Sequence, residues 1–115
     1  MSERHPRVLL EDILESAEKI FKYTEGLTYE EFISDSKTID AVIRNFEIIG
    51  EASNRLPQEF KDNHNTIDWF KIRGFRNRIV HHYFGIDYEF MWALRDSHLL
   101  ALFSEIQNIL AQNNL

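Results

Sequence analysis

Apolar residues in this chain recur at helical spacing almost throughout, and that periodicity leaves little room for a sheet. Leu9, Ile13, Ala17 and Ile20 form one stripe, widened by Leu10, Leu14 and Phe21, while Glu11, Asp12, Glu15 and Glu18 take the opposite side. Repeats of three to four residues put one face of a helix against a core. The pattern returns in Ile39, Val42, Ile43, Phe46 and Ile49, and again in Met91, Leu99, Leu102, Phe103, Ile106, Ile109 and Leu110. Strict alternation of strand type is scarce. Four long helices with short connections predict an all-α, antiparallel four-helix bundle. At 115 residues the chain suits a single domain, 1–115, with one core.

The helix ends are marked by particular side chains. Pro6 suits the first turn of a helix over Pro6–Thr24, and Gly26 stops it. Thr28 with Glu31 forms a capping box, and Leu27 with Phe32 is spaced as the accompanying hydrophobic staple. Asp35-Ser36 re-caps the path into a long helix that ends near Leu56-Pro57. Gly50 and Ser53 on its packing side allow another backbone to come close, whereas Asp40, Arg44, Glu47 and Glu51 read as a solvated face. Pro57 to Thr66 is polar and broken, with Phe60 as an anchor and room for an extra short helical turn. Asp68 or Thr66 caps a third helix running to Tyr83; Phe84-Gly85-Ile86 is a turn; Asp87 caps a last helix over Tyr88 to Ala111, beyond which the tail frays.

Charge narrows the functional classes. The net charge is -6, the wrong sign for a protein that coats nucleic acid with its whole surface. Residues 68–84 depart from that balance, with Lys71, Arg73, Arg76 and Arg78 against Asp68 alone, an excess that would draw an anionic substrate. The sequence has no cysteine, which excludes disulfides and thiolate metal sites. No apolar run approaches the roughly 18 residues of a membrane span, and the expected location is the cytoplasm. No glycine-rich phosphate loop or GxSxG elbow is present, and no histidine or acid has zinc-site spacing, so no cofactor and no metal are expected.

The chemistry-bearing residues crowd into Phe75-Arg76-Asn77-Arg78-Ile79-Val80-His81-His82-Tyr83-Phe84-Gly85-Ile86-Asp87. As a continuous helix, this stretch would put Ile72, Phe75, Ile79 and Tyr83 on a core stripe and bring Asn77 and His81 together on the other side. Arg76 would stand about 140° from His81. On that geometry the arginine bends around, the helix distorts, or a second chain completes the site. Adjacent His81 and His82 diverge by about 100° and do not chelate one metal together. His5, His64 and His98 are isolated, and Arg95 reads as an arginine that reaches the edge of its face or a carboxylate, with a phosphate contact as the alternative.

Arg76, four residues, His81, one residue and Tyr83 make the R-x4-H-x-Y pattern of the HEPN superfamily. Ile48-Ile49-Gly50-Glu51-Ala52 upstream and Tyr83-Phe84-Gly85-Ile86-Asp87 downstream resemble its HepT-like branch. The resemblance implies a HEPN-like bundle and a metal-independent endoribonuclease in which Arg76 and His81 are the catalytic pair, with the motifs of a homodimer facing each other across one cleft. It further implies a toxin of a toxin-antitoxin pair, whose nucleotidyltransferase antitoxin silences it by AMPylating Tyr83. From its own chemistry Tyr83 is a core-edge aromatic with its hydroxyl at the rim.

The residue types fit the reaction. RNA carries its own nucleophile, the 2′-hydroxyl. A histidine with an ordinary pKa of about 6.5 moves protons near neutrality, and an arginine, always charged, steadies the phosphorane. Asn77 would orient the imidazole or the phosphate, and Arg73, Arg78 and His82 are further candidates to touch RNA. A competing reading keeps the same polar cleft without cutting: a helical module that docks to a nucleotidyltransferase and binds nucleotide or nucleic acid. In a third, a structural dimer uses the polar motif only to set helix register.

Overall fold

The computed structural model describes residues 5–81 and 84–112. Helix α1 (Pro6–Thr24) opens with Pro6 in its first turn and with His5 Nδ1 accepting from the Arg7 amide at 3.0 Å. Gly26, at φ 76°, follows its end. The capping box is formed: Glu31 N–H donates to Thr28 Oγ1 at 3.1 Å, Thr28 N–H donates to Glu31 Oε1 at 2.9 Å, and the short α2 (Tyr29–Ile33) begins there. Asp35 Oδ1 accepts from Thr38 N–H and starts α3 (Ser36–Arg55). These bonds satisfy amide donors that the first helical turn leaves without partners.

Helices α1 and α3 form the most extensive pairing in the molecule. Leu10, Ile13, Ala17, Phe46 and Ile49 are wholly buried, in one apolar cluster that extends into every long helix. The expected helical turn after α3 is α4 (Gln58–Asn63), held by Phe60 against the His64 and Trp69 rings.

The third helix departs from expectation. It runs as α5 (Trp69–Arg73), capped by Asp68, and α6 (Phe75–Ile79), which meet at Gly74, and it stops at Ile79 rather than Tyr83. Strands β1 (Val80–His81) and β2 (Gly85–Ile86) follow, antiparallel, pairing Val80 with Ile86 and His81 with Gly85. The causes are local. Ile79 and Val80 are consecutive β-branched residues that favour extended backbone, Gly85 takes φ 86°, and Asp87 N–H donates to Ile79 O at 2.8 Å, tying the hairpin back to the helix end. Phe75 and Ile79 keep their expected core positions, Phe75 edge-on to Phe46 with ring centres 6.1 Å apart.

Asp87 caps α7 (Tyr88–Leu94) through the Phe90 amide. A π-helical turn over Arg95–Leu99 joins it to α8 (Leu100–Gln112). Gly50 lies where α3 meets the end of α5: a Cβ there would stand 3.0 Å from the Arg73 carbonyl oxygen. The small residue permits the predicted backbone approach, and that approach positions the motif against α3. The expected all-α bundle is therefore present, with its third member short, broken and ended by a two-stranded hairpin.

Candidate functional site

Arg76 projects from α6 toward α3. Its Nε is shielded from solvent and 3.5 Å from Glu47 Oε2, an ion-pair distance without a hydrogen bond, while the side chain as a whole is 40% exposed. Glu47 also pairs with Arg44. Around this pair lies an open hollow of about 270 Å³, lined by Glu47, Gly50, Glu51, Asn54, Arg73, Arg76 and Asn77. Arg73 NH1 donates to Asn54 Oδ1 at 3.3 Å. Three of the sequence candidates, Arg73, Arg76 and Asn77, thus converge on one hollow.

His81 lies elsewhere. On β1 it is exposed and lines a second hollow, of about 460 Å³, with Tyr29, Phe84, Ile86, Asp87, Tyr88 and Glu89. Because β1 is extended, the expected meeting of Asn77 and His81 one helical turn apart is not made. Phe84 is 90% exposed at this hollow. Partial burial, then the Glu89 and Asp87 carboxylates, push the Tyr29 phenol above its ordinary range. Arg76 and His81 therefore occupy different hollows in one chain.

The remaining candidates have other surroundings. Arg78 stacks its guanidinium 4.2 Å from the Phe90 ring centre and lines neither. His82 and Tyr83 fall outside the described residues. Arg95 takes the edge position: it sits 4.1 Å over the Trp92 ring, donates to Thr24 O at 3.4 Å and pairs with Asp96. His64 packs on Phe60, and His98 packs on Phe75 with Nδ1 2.8 Å from Ser97 Oγ. Burial first, then Lys71 and Arg78, hold the His98 imidazole below its ordinary pKa. Among the described residues no group of three His, Asp or Glu is placed to hold a metal ion, and no helix is long and apolar enough to cross a membrane.

Sequence reasoning missed Glu47, Glu51 and Asn54, which it left on a solvated face or did not single out. Gly50 was the available signal: a glycine required by close backbone approach implies that its neighbours one turn away face the incoming segment. Tyr29, beside His81, had no such signal.

The family model for Ribonuclease HepT-like proteins matches residues 13–109, which include both hollows and the whole motif. The chain belongs to the HepT-like ribonuclease family. Three relatives agree. "Putative RNase MJ0127" of Methanocaldococcus jannaschii is 37% identical over 96% of this chain and 91% of its own length. "Putative RNase TTE0752" of Caldanaerobacter subterraneus subsp. tengcongensis is 35% identical over 91% of this chain and 94% of its own length. "Probable ribonuclease HepT" of Thermococcus cleftensis is 45% identical over 72% of this chain and 76% of its own length. No solved structure matches at a significant level. The all-α bundle is thus a HEPN-like one, and the chain is an endoribonuclease of the HEPN type.

Proposed function

We propose that this HepT-like chain is a metal-independent RNA-cleaving toxin, acting as a homodimer of single HEPN-like domains whose site joins Arg76 of one motif with His81 of another. The observation that carries the dimer is the separation of these two side chains into different hollows of one chain, with the 90% exposed Phe84 beside His81. A second copy laid over the motif would close the two hollows into one cleft and cover that ring. Symmetric pairing of this kind places the same patch of both protomers at the interface.

The chemistry needs only groups this cleft would supply. The RNA 2′-oxygen attacks the adjacent phosphorus as its proton passes to an imidazole. The P–O5′ bond breaks, and the leaving oxygen takes a proton from a second imidazole, leaving a 2′,3′-cyclic phosphate and a 5′-hydroxyl. Two His81 side chains, one per protomer, fill the base and acid roles. Arg76 steadies the charge on the phosphorane, and Glu47 holds the guanidinium before substrate arrives. Asn77, in the Arg76 hollow, orients the phosphate. Arg73 is an RNA contact in the same hollow, and Arg78 and His82 are further RNA contacts.

Regulation follows the family resemblance: a nucleotidyltransferase antitoxin attaches AMP to Tyr83, two residues beyond His81 in the sequence. Action in the cytoplasm, where cellular RNA is the target, belongs to this reading.

The test is incubation of the purified protein with total cellular RNA in excess EDTA, beside an Arg76→Ala, His81→Ala double variant. Cleavage by the parent alone supports the assignment. Equal cleavage by both removes it, and absence of cleavage by a folded parent unmodified at Tyr83 favours the non-cutting module that docks to a nucleotidyltransferase and binds nucleotide.

A further inference from the structure

Phe70 is out of place for a phenylalanine. It stands on α5 with 77% of its surface exposed, although Trp69 and Ile72 on the same short helix are buried. The Arg73 guanidinium lies 5.1 Å from its ring centre, a cation placed over a π face. Beside the ring opens a hollow of about 470 Å³ whose lining includes Lys61, Asn65, Thr66, Trp69, Phe70 and Arg73.

This hollow neighbours the proposed catalytic one, and Arg73 lines both. Asn54 holds the junction: its carbonyl oxygen accepts from Lys61 Nζ at 3.5 Å and its Oδ1 accepts from Arg73 NH1 at 3.3 Å. Two cations are thus gathered at one asparagine. Partial burial, then the Arg73 charge, lower the Lys61 pKa, as expected where a second positive group is near. The two acids on the rim are engaged locally, Asp62 by Gln58 Nε2 at 2.9 Å and Asp68 by the Lys71 amide.

The geometry points to a nucleotide subsite in which Phe70 stacks a base of single-stranded RNA and Lys61 with Arg73 holds its phosphate, one step along the strand from the phosphate at Arg76. The inference rests on the proposed ribonuclease site. Stacking tolerates any base but requires an unpaired one, so this subsite selects single strands.

The experiment uses the full chain and a short 2′-O-methyl oligoribonucleotide carrying 2-aminopurine, which has no free 2′-hydroxyl and so reports binding without cleavage. Phe70→Ala is expected to weaken binding on the order of 5- to 150-fold and to abolish the fluorescence quench. Phe70→Trp restores both, and Lys61→Ala weakens binding while flattening its salt dependence. Unchanged binding by Phe70→Ala overturns the inference, as does a change in the mass of the assembly by light scattering, which would assign Phe70 to a contact between protein chains. Cleavage of unmodified RNA separates the two proposals. Cleavage that needs Arg76 and His81 while binding ignores Phe70 sinks the subsite alone. Phe70-dependent binding by a parent that does not cut sinks the ribonuclease assignment and leaves the subsite standing.

Discussion

The α1–α3 pair and the Trp69–Ile86 segment are built from similar proportions of apolar and polar residues, yet they solve opposite problems. The first consists of two long helices, each started by a side-chain cap and buried along a continuous stripe. The second breaks at Gly74 into two helices of five residues each and turns into a hairpin at Val80. Helices that short are marginal in isolation, and these persist because Ile72, Phe75 and Ile79 are anchored in the core while Gly50 lets α3 approach. A well-packed pair thus carries a segment whose backbone changes direction near Arg73, Arg76 and His81. One region supplies stability, and the other supplies divergent directions for Arg76 and His81.

If this division is correct, substitutions in the two regions should fail differently. The largest expected effect is His81→Ala, which should lower RNA cleavage about 10²- to 10⁴-fold, the range for removal of a general acid or base. Its melting temperature should match the parent's, because His81 is exposed on β1. A melting temperature that falls with activity would make the hairpin part of the stability framework and erase the contrast. Phe46→Ala on α3 should do the reverse. Its ring is wholly buried against Phe75, and its loss should destabilise the fold by about 3–5 kcal/mol in urea unfolding, while cleavage per folded molecule persists.

The same division explains what could be read from the sequence. The bounds of α1 and α3, and the caps at Thr28, Asp35 and Asp87, are written in short-range chemistry: a side-chain oxygen beside amides that need an acceptor. The core positions Phe75 and Ile79 were also legible, because α6 retains helical phase up to Ile79. The hairpin was not. Helical periodicity in Arg76 to Tyr83 continues on paper past the point where the Ile79-Val80 pair and Gly85 favour another conformation, and a glycine's positive φ has no periodic signature. The Asn77–His81 pairing was inferred from that phase and was lost with it. Glu47 was illegible for a different reason: a surface acid looks solvated until the element that covers it has been placed.

Two glycines sharpen the comparison at smaller scale. Gly50→Ala would push a Cβ to 3.0 Å from the Arg73 carbonyl oxygen, backbone that cannot swing aside, and should cost about 1–3 kcal/mol while shifting Arg73 and Arg76 together. Gly74→Ala, at the break between α5 and α6, meets nothing nearer than 3.6 Å, and φ -91° suits alanine. It should leave stability unchanged or raise it by a few tenths of a kcal/mol. Equal losses at the two positions, measured by chemical denaturation, would mean that the break depends on glycine's freedom rather than on packing around Gly50.

The smallest effect concerns His98, on the π-helical turn that packs against the motif segment. Its imidazole is held below its ordinary pKa by burial, then by Lys71 and Arg78, and its ring meets Phe75. In the unfolded chain this histidine binds a proton more readily than in the folded one, so stability rises with pH where the two states differ in protonation. The contribution is fully present above the ordinary histidine value of about 6.5 and is lost as pH falls through the lower folded value. Melting temperatures across that interval should decline less steeply on acidification for His98→Asn than for the parent. A parent slope that survives His98→Asn would assign the acid sensitivity of this face to other groups. Loss of the slope would show that the core-facing side of the motif segment follows the packing rules of the α1–α3 pair, while its open side is free for chemistry.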